Sequence, residues 1–235
     1  MMRILITSGG TIEKIDDVRN IRNSSTGRLS SLIANTMDEN IIIDYVYGLN
    51  SLLPNRKYNP YPIESVRDLE ETMKHLLNTY TYDAVIHAMA VSDYEIQSVT
   101  TNEALDKNLK DVDILETLNN YKEDLNRDEK IRSDYEHLVV LMKKAPKIIN
   151  MIKKIQKDTT LVGFKLLTDV SYDTLLLESR KQILKNDCDY VLANDLKDID
   201  GDNHIGYLVS KNNTVIKLNT KQEIAEKIKE EVLKI

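Results

Sequence analysis

ITSGGTIEKIDDVRNIRNSSTGRLSSLIA, running from Ile6 to Ala34, joins an apolar strand to an amphipathic helix through two polar loops. Arg3–Ser8 reads as a strand that ends on Gly9-Gly10. Two residues without Cβ atoms let the backbone turn tightly there and let a ligand come close to it. A dinucleotide fingerprint would open directly into a helix as G-x-G-x-x-G. Here about fifteen residues intervene before a helix begins near Thr26. The second loop, Asn23-Ser24-Ser25-Thr26-Gly27-Arg28, lies at that helix start, where unpaired N–H groups and the helix dipole favour anions. Arg19, Arg22 and Arg28 concentrate positive charge around it. The hydroxyls would equally serve a plain N-cap with no ligand. Glycine turn, arginines and cap taken together favour phosphate binding.

Outward from this stretch, short apolar runs alternate with longer amphipathic ones, the pattern of an α/β layering with a mostly parallel sheet. Further strands are expected at Ile41–Tyr47, Asp83–Ala90, Thr160–Phe164 and Tyr190–Ala193. The runs IIIDYVY and DAVIHAMAV alternate little, as strands covered on both faces do. His204–Ser210 and Thr214–Leu218 flank Lys211-Asn212-Asn213 and read as an antiparallel hairpin at the sheet edge. Helices are expected at Thr26–Asp38, Pro62–Thr79, Pro146–Gln156, Ser171–Asn186 and Lys221–Ile235. The fold class is therefore α/β: a Rossmann-like sheet with helices on both faces, a C-terminal β-hairpin, and an insertion. That insertion is Glu95–His137, rich in Asp, Glu, Lys and Asn; its length makes it either an arm or lid, or partly disordered. One domain over residues 1–235 with an insertion at about 95–137 is the expected organisation.

The chain has 235 residues, with 32 Lys+Arg against 38 Asp+Glu and a net charge of −6. That balance argues against general nucleic-acid binding but permits a local basic pocket. No apolar run approaches the roughly 18 residues that span a bilayer, and the N-terminus lacks a signal-peptide pattern. Cys188 is the only cysteine, so no internal disulfide framework exists and a cytoplasmic location is expected. His75, His87, His137 and His204 show no metal-ligand spacing, so none is assigned to catalysis and the metal ligands stay open.

TSGGT-x-E-x-ID-x-VR-x-I-x-N-x-S-x-G resembles the N-terminal signature of phosphopantothenoylcysteine synthetase, the ligase of coenzyme A biosynthesis. HAMAVSDY (His87–Tyr94), KIRSDYEHLVVLMKKAPKII (Lys130–Ile149), VGFKLLTDV (Val162–Val170) and DYVLANDL (Asp189–Leu196) follow in family order. The likeness covers essentially the whole chain and is weakest across Tyr94–Asp128. Since no flavin-dependent decarboxylase segment precedes Met1, the resemblance implies the free-standing bacterial form, with no flavin and a separate decarboxylase acting next. It implies a reaction that activates 4′-phosphopantothenate with CTP (or ATP) and Mg²⁺, then joins the acyl-nucleotide to cysteine. It implies a homodimer as well.

Residue by residue, the resemblance makes Asn23 the donor to the acyl-nucleotide, with Arg19 and Lys130 beside it as catalytic groups. The loop Asn23, Ser24, Ser25, Thr26, Gly27 and Arg28 would bind phosphopantothenate. Gly9, Gly10, Asp93 and Phe164 would contact the nucleotide, as would Lys143, Lys144, Ala145 and Pro146. Lys181 and Lys185, one turn apart on a helix, would reach its phosphates. Two departures from the family pattern stand out: Ser30 where glycine is usual, and Met89 in place of an alanine.

Two other classes compete. TSGGTIEK also resembles the opening of asparaginase-type amidohydrolases, in which Thr11 would be the nucleophile, although no second threonine-aspartate motif follows before Tyr94. A nucleotide-sensing α/β module without turnover is the non-enzymatic alternative.

Overall fold

A computed structural model describes residues 1–108, 116, 118, 121, 125–201 and 203–234. Six strands form its parallel centre: β1 (Arg3–Ser8), β4 (Ile42–Gly48), β5 (Asn59–Ile63), β6 (Ala84–His87), β9 (Thr160–Leu167) and β10 (Tyr190–Asp195). Their order across the sheet is β5-β4-β1-β6-β9-β10, every neighbouring pair parallel. Antiparallel strands close one edge: β12 (Asn203–Ser210) pairs β10, while β13 (Val215–Thr220) and the short β11 (Ile199–Asp200) pair β12. The expected edge hairpin is thus present, with Asn213 supplying a positive φ of 64° in its turn.

Two apolar layers hold the sheet because its strands alternate between two covered faces. On one face Leu5, Val85, Leu161 and Val191 pack against α2 (Val66–Thr79), α4 (Ile149–Ile155) and α5 (Tyr172–Asn186). On the other, Ile4, Ile6, Ile86 and Leu192 meet α1 (Arg28–Thr36) and α6 (Lys221–Val232) through Ile33, Ile224, Ile228 and Val232. Each fully buried side chain of this size contributes roughly 1.5–3 kcal/mol, so the layers fix which helix lies over which strand.

The boundaries differ from expectation where proline and glycine chemistry decides. Pro62 does not start a helix: Pro60 and Pro62 lie in β5, at the edge of the sheet, where a missing N–H breaks no ladder. The helix begins instead at Val66, where Ser65 and Asp68 exchange hydrogen bonds in a capping box. The first helix starts at Arg28 rather than Thr26, because Gly27 adopts a left-handed φ of 69°. The Pro146 segment becomes helical only at Ile149.

The loop after β1 holds a small hairpin, β2 (Ile12–Lys14) against β3 (Asn20–Arg22), which the hydrophobic pattern does not reveal. The insertion opens with β7 (Tyr94–Thr101) and α3 (Asn102–Asn108), and β8 (Leu138–Lys144) returns antiparallel to β7. Much of its middle, within 109–124, lies outside the described residues. Where described, the base of this arm is anchored. Val99 is fully buried, Thr100 meets the Tyr121 hydroxyl at 3.0 Å, and Arg67 of α2 grips Glu95 through two 2.6 Å hydrogen bonds.

Candidate functional site

Crossovers from β1 run one way, to β4 and β5, and the chain then returns to β6 on the other side of β1. Loops leaving the two neighbouring strands splay apart at such a switch point and leave a crevice at the carboxyl ends of the strands. A cleft of about 890 Å³ lies at this end of the sheet, lined by the Asn23–Arg28 loop, the loop after β6 and the start of α4. Phe164 of β9 and Lys181, Gln182 and Lys185 of α5 complete the opposite wall.

Asn23 is placed from both sides. Its N–H reaches the Thr11 carbonyl at 3.4 Å, and its Nδ2 donates to the Ala90 carbonyl at 3.2 Å. One Nδ2 hydrogen is spent on that bond, which leaves the second available to a ligand. Beyond Asn23, the helix entry has no side-chain cap: Gly27 occupies the N-cap position and the Thr26 hydroxyl reaches the Arg28 N–H only at 3.4 Å. No serine or threonine occupies the N-cap position, so the plain N-cap reading fails there, and the first residues of α1, Arg28 to Ser30, line the cleft.

Gly9 and Gly10 are absent from the cleft wall, contrary to their expected contact with nucleotide. They serve close packing instead: a Cβ on Gly10 would lie 2.6 Å from the Asn23 backbone oxygen. At Gly27 a Cβ would meet Ser8 Oγ at 2.4 Å, on a backbone already left-handed. The glycines thus let the Asn23 loop lie directly on the turn after β1.

Of the remaining expected residues, Ser24, Ser25, Thr26, Arg28, Asp93, Pro146, Phe164, Lys181 and Lys185 line the cleft. Asp93 is ion-paired with Lys147, and Lys181 with Glu178 at 2.6 Å; both partners also line the cleft. Lys143, Lys144 and Ala145 do not. Lys143 faces Glu95 at 3.5 Å from β8, and Ala145 is buried with its N–H on the Asp93 carbonyl. Lys143 and Lys144 end β8, whose partner is β7 of the arm, so that pairing holds them away from the cleft.

Arg19 and Lys130 are also outside the cleft of their own chain. Arg19 is bound to the Asp16 carboxylate and donates to the Ile131 carbonyl at 3.1 Å, while Lys130 is exposed beside that anchor. Hydrogen bonds from Arg19 and from the Val18, Arg19 and Ile131 N–H groups hold the Asp16 carboxyl well below the usual carboxylate range. Thr11, the nucleophile of the amidohydrolase alternative, is fully buried and its hydroxyl accepts the Ser92 N–H at 2.9 Å. That places it under the cleft floor, without access to substrate.

His87, Lys147, Asn194 and His204 also line the cleft, although the sequence assigns none of them a role. His87 and His204 are buried, and burial pushes each imidazole down to about 4, with Lys221 adding to the effect at His204. Cys188 is buried too, its thiol pushed up to about 12, mainly by burial, as an inert core group is. Among the described residues no group of three or more His, Cys, Asp or Glu could hold a metal ion. No described helix is long and apolar enough to cross a membrane.

Residues 1–124 and 102–235 match the family described as DNA/pantothenate metabolism flavoprotein C-terminal domain. A solved structure titled as the DNA/pantothenate metabolism flavoprotein of Streptococcus pneumoniae is 36% identical, with a TM-score of 0.87 over 100% of this chain and 99% of that one. The bifunctional coenzyme A biosynthesis protein CoaBC of Thermococcus kodakarensis is 31% identical over 234 residues, 99% of this chain and 51% of the relative. The chain spans about half the length of the curated relatives it matches. A mutant of Cab2 in complex with phosphopantothenate-cysteine shares the fold at a TM-score of 0.71 and 18% identity, over 99% of this chain and 87% of that one.

Proposed function

This chain belongs to the DNA/pantothenate metabolism flavoprotein C-terminal domain family, and we propose that it is the ligase joining 4′-phosphopantothenate to cysteine in coenzyme A biosynthesis. One observation carries the reading: the switch-point cleft brings the Asn23 amide and an uncapped helix N-terminus opposite Lys181 and Lys185. That is a donor for an acyl oxygen and charge for phosphates, in one crevice.

In the first step the carboxylate attacks the α-phosphorus of a nucleoside triphosphate, CTP or ATP, forming an acyl-nucleotide and releasing pyrophosphate. Lys181 and Lys185 offset the charge of the triphosphate and of the leaving pyrophosphate. Lys181 must leave Glu178 to do so, a short swing within one helical turn. Mg²⁺ would supply further charge neutralisation when bound. In the second step the cysteine amine attacks the acyl carbon, loses a proton and expels the nucleoside monophosphate. The free Nδ2 hydrogen of Asn23 meets the oxygen on which negative charge develops.

We propose a homodimer in the cytoplasm, with a decarboxylase activity acting on the product. A dimer would let Lys130 on one copy's arm serve the cleft of the other. Pyrophosphate release, measured with CTP and with ATP in parallel, tests the whole reading. Release that needs phosphopantothenate, followed by cysteine-dependent release of monophosphate, is expected. Pyrophosphate release indifferent to phosphopantothenate, or none with either nucleotide, rules the ligase out.

A further inference from the structure

His87 ends β6 and forms part of the cleft wall, yet the ligase chemistry above makes no use of it. Its neighbour on β1 is Thr7, directly opposite in register and fully buried. Thr7 Oγ1 accepts the Met89 N–H at 3.2 Å and contacts His87 Nδ1 at 2.9 Å. Two arrangements of the shared proton are possible. If Nδ1 carried the ring proton, the hydroxyl would receive two donors, and its own proton would have no acceptor in a buried site. If the hydroxyl donates to Nδ1, every group in the chain Met89 N–H, Thr7 O–H, Nδ1 is satisfied. The second arrangement puts the ring proton on Nε2, for which no described residue is a partner.

The surroundings say what such a donor can meet. Ala88, Met89, Ile148 and Ile149 line the cleft with it, as do the cationic Lys147, Lys181 and Lys185. A phosphate would have to give up water for an uncharged donor against apolar side chains, when ammonium groups lie in the same cleft. We propose that His87 is a fixed, uncharged hydrogen-bond donor that presents Nε2–H to an uncharged acceptor of a bound ligand. That acceptor is a carbonyl oxygen or ring nitrogen, from a nucleobase or from the amides of phosphopantothenate. Which ligand is meant rests on the ligase reading; the tautomer does not. Burial keeps the ring neutral, so it orients the ligand and transfers no proton.

The test uses the full chain with ¹⁵N-labelled histidine, the His87 signal being assigned by its loss in His87→Gln. Long-range ¹H–¹⁵N spectra should show the Nε2–H tautomer unchanged from about pH 8 to about pH 5. An Nδ1–H tautomer, or an imidazolium in that range, overturns the proposal. CTP, ATP and phosphopantothenate are then added to separate samples. A shift of the Nε2–H resonance with a nucleotide assigns the acceptor to the base, and one with phosphopantothenate assigns it to an amide. No shift with any of the three overturns the proposal.

Turnover separates this from the ligase reading. Shift without turnover leaves His87 as a donor and removes the ligase; turnover without shift does the reverse; absence of both removes both. Among variants, His87→Leu should raise KM for that one ligand about tenfold, the loss of a single neutral hydrogen bond, and His87→Gln should recover most of it. Thr7→Val should give mixed tautomers where Thr7→Ser does not. Equal KM values for the leucine and glutamine variants would mean that the imidazole only fills space.

Discussion

Asp16 and Ile131, 115 residues apart, are joined at 3.1 Å by the Ile131 N–H donating to the Asp16 carboxylate. Arg19, paired with the same carboxylate, donates to the Ile131 carbonyl at 3.1 Å. Both backbone groups of Ile131 are therefore held by one acid–base pair on the β2–β3 hairpin. The returning limb of the arm is pinned one residue from Lys130, so an arginine expected to touch substrate instead anchors the segment that carries the lysine.

Asp16→Ala should free that limb. Amide exchange at Ile131 should quicken strongly, and kcat should fall more than KM rises, because the lysine loses its footing while the cleft stays intact. Asp16→Asn keeps one acceptor oxygen, enough for the Val18 and Arg19 N–H groups or for that of Ile131 but not for both, and should lie between. Unchanged exchange at Ile131 in the alanine variant would show that the clasp is incidental. The folded carboxyl is depressed, so the clasp's contribution to stability is complete above the unfolded pKa and is lost as pH falls from there through the lower folded value.

Asn23→Ala removes the Nδ2 bond to Ala90 and, in the proposed reaction, the donor to the acyl oxygen. Nucleotide binding should persist, while turnover drops roughly a hundredfold, about 3 kcal/mol, as for other single donors to a developing oxyanion. Single-turnover measurement of acyl-nucleotide and product tells the two apart. Near-normal product formation would take Asn23 out of the mechanism.

For the cations, Lys181→Gln or Lys185→Gln should raise the KM for nucleotide, with the far-ultraviolet spectrum unchanged because both project from α5 into the cleft. Repulsion from the net charge of −6 is screened over about 8 Å at physiological salt, so these short-range contacts dominate. Lys130→Gln should lower kcat instead. A change confined to KM in that variant would make Lys130 a binding group.

Acid should weaken the fold before the carboxylates titrate. His87 and His204 sit near 4 in the folded chain against 6.5 unfolded, so between those values only the unfolded chain takes up their protons. Stability therefore falls as pH drops through this window, by on the order of 3 kcal/mol for each buried ring. Glu13, raised by burial, acts in the opposite sense lower in the range. Urea unfolding from about pH 7 to about pH 4.5 should show a shallower slope in His204→Gln than in the parent. Parallel slopes would mean that His204 is already charged when folded.

Apolar runs and turn chemistry are local, which is why β1, β4, the loop Asn23–Arg28 and the Lys211–Asn213 hairpin could be read directly from residue order. Fold class and half of the cleft follow from them. β5 stayed hidden because Pro60 and Pro62 look like helix starters until an edge position makes their missing N–H harmless. The β2–β3 hairpin, three residues a side, is too short to show a period. Side-chain destinations needed the tertiary structure. Lys143 faces Glu95, Arg19 turns to Asp16, and His87 and His204 enter the cleft wall buried. Each outcome depends on a partner 3 or 48 residues away or on what covers a ring. Residue order specifies which groups can bond; only the packed layers decide which of them meet, because contact and burial are properties of the assembled chain.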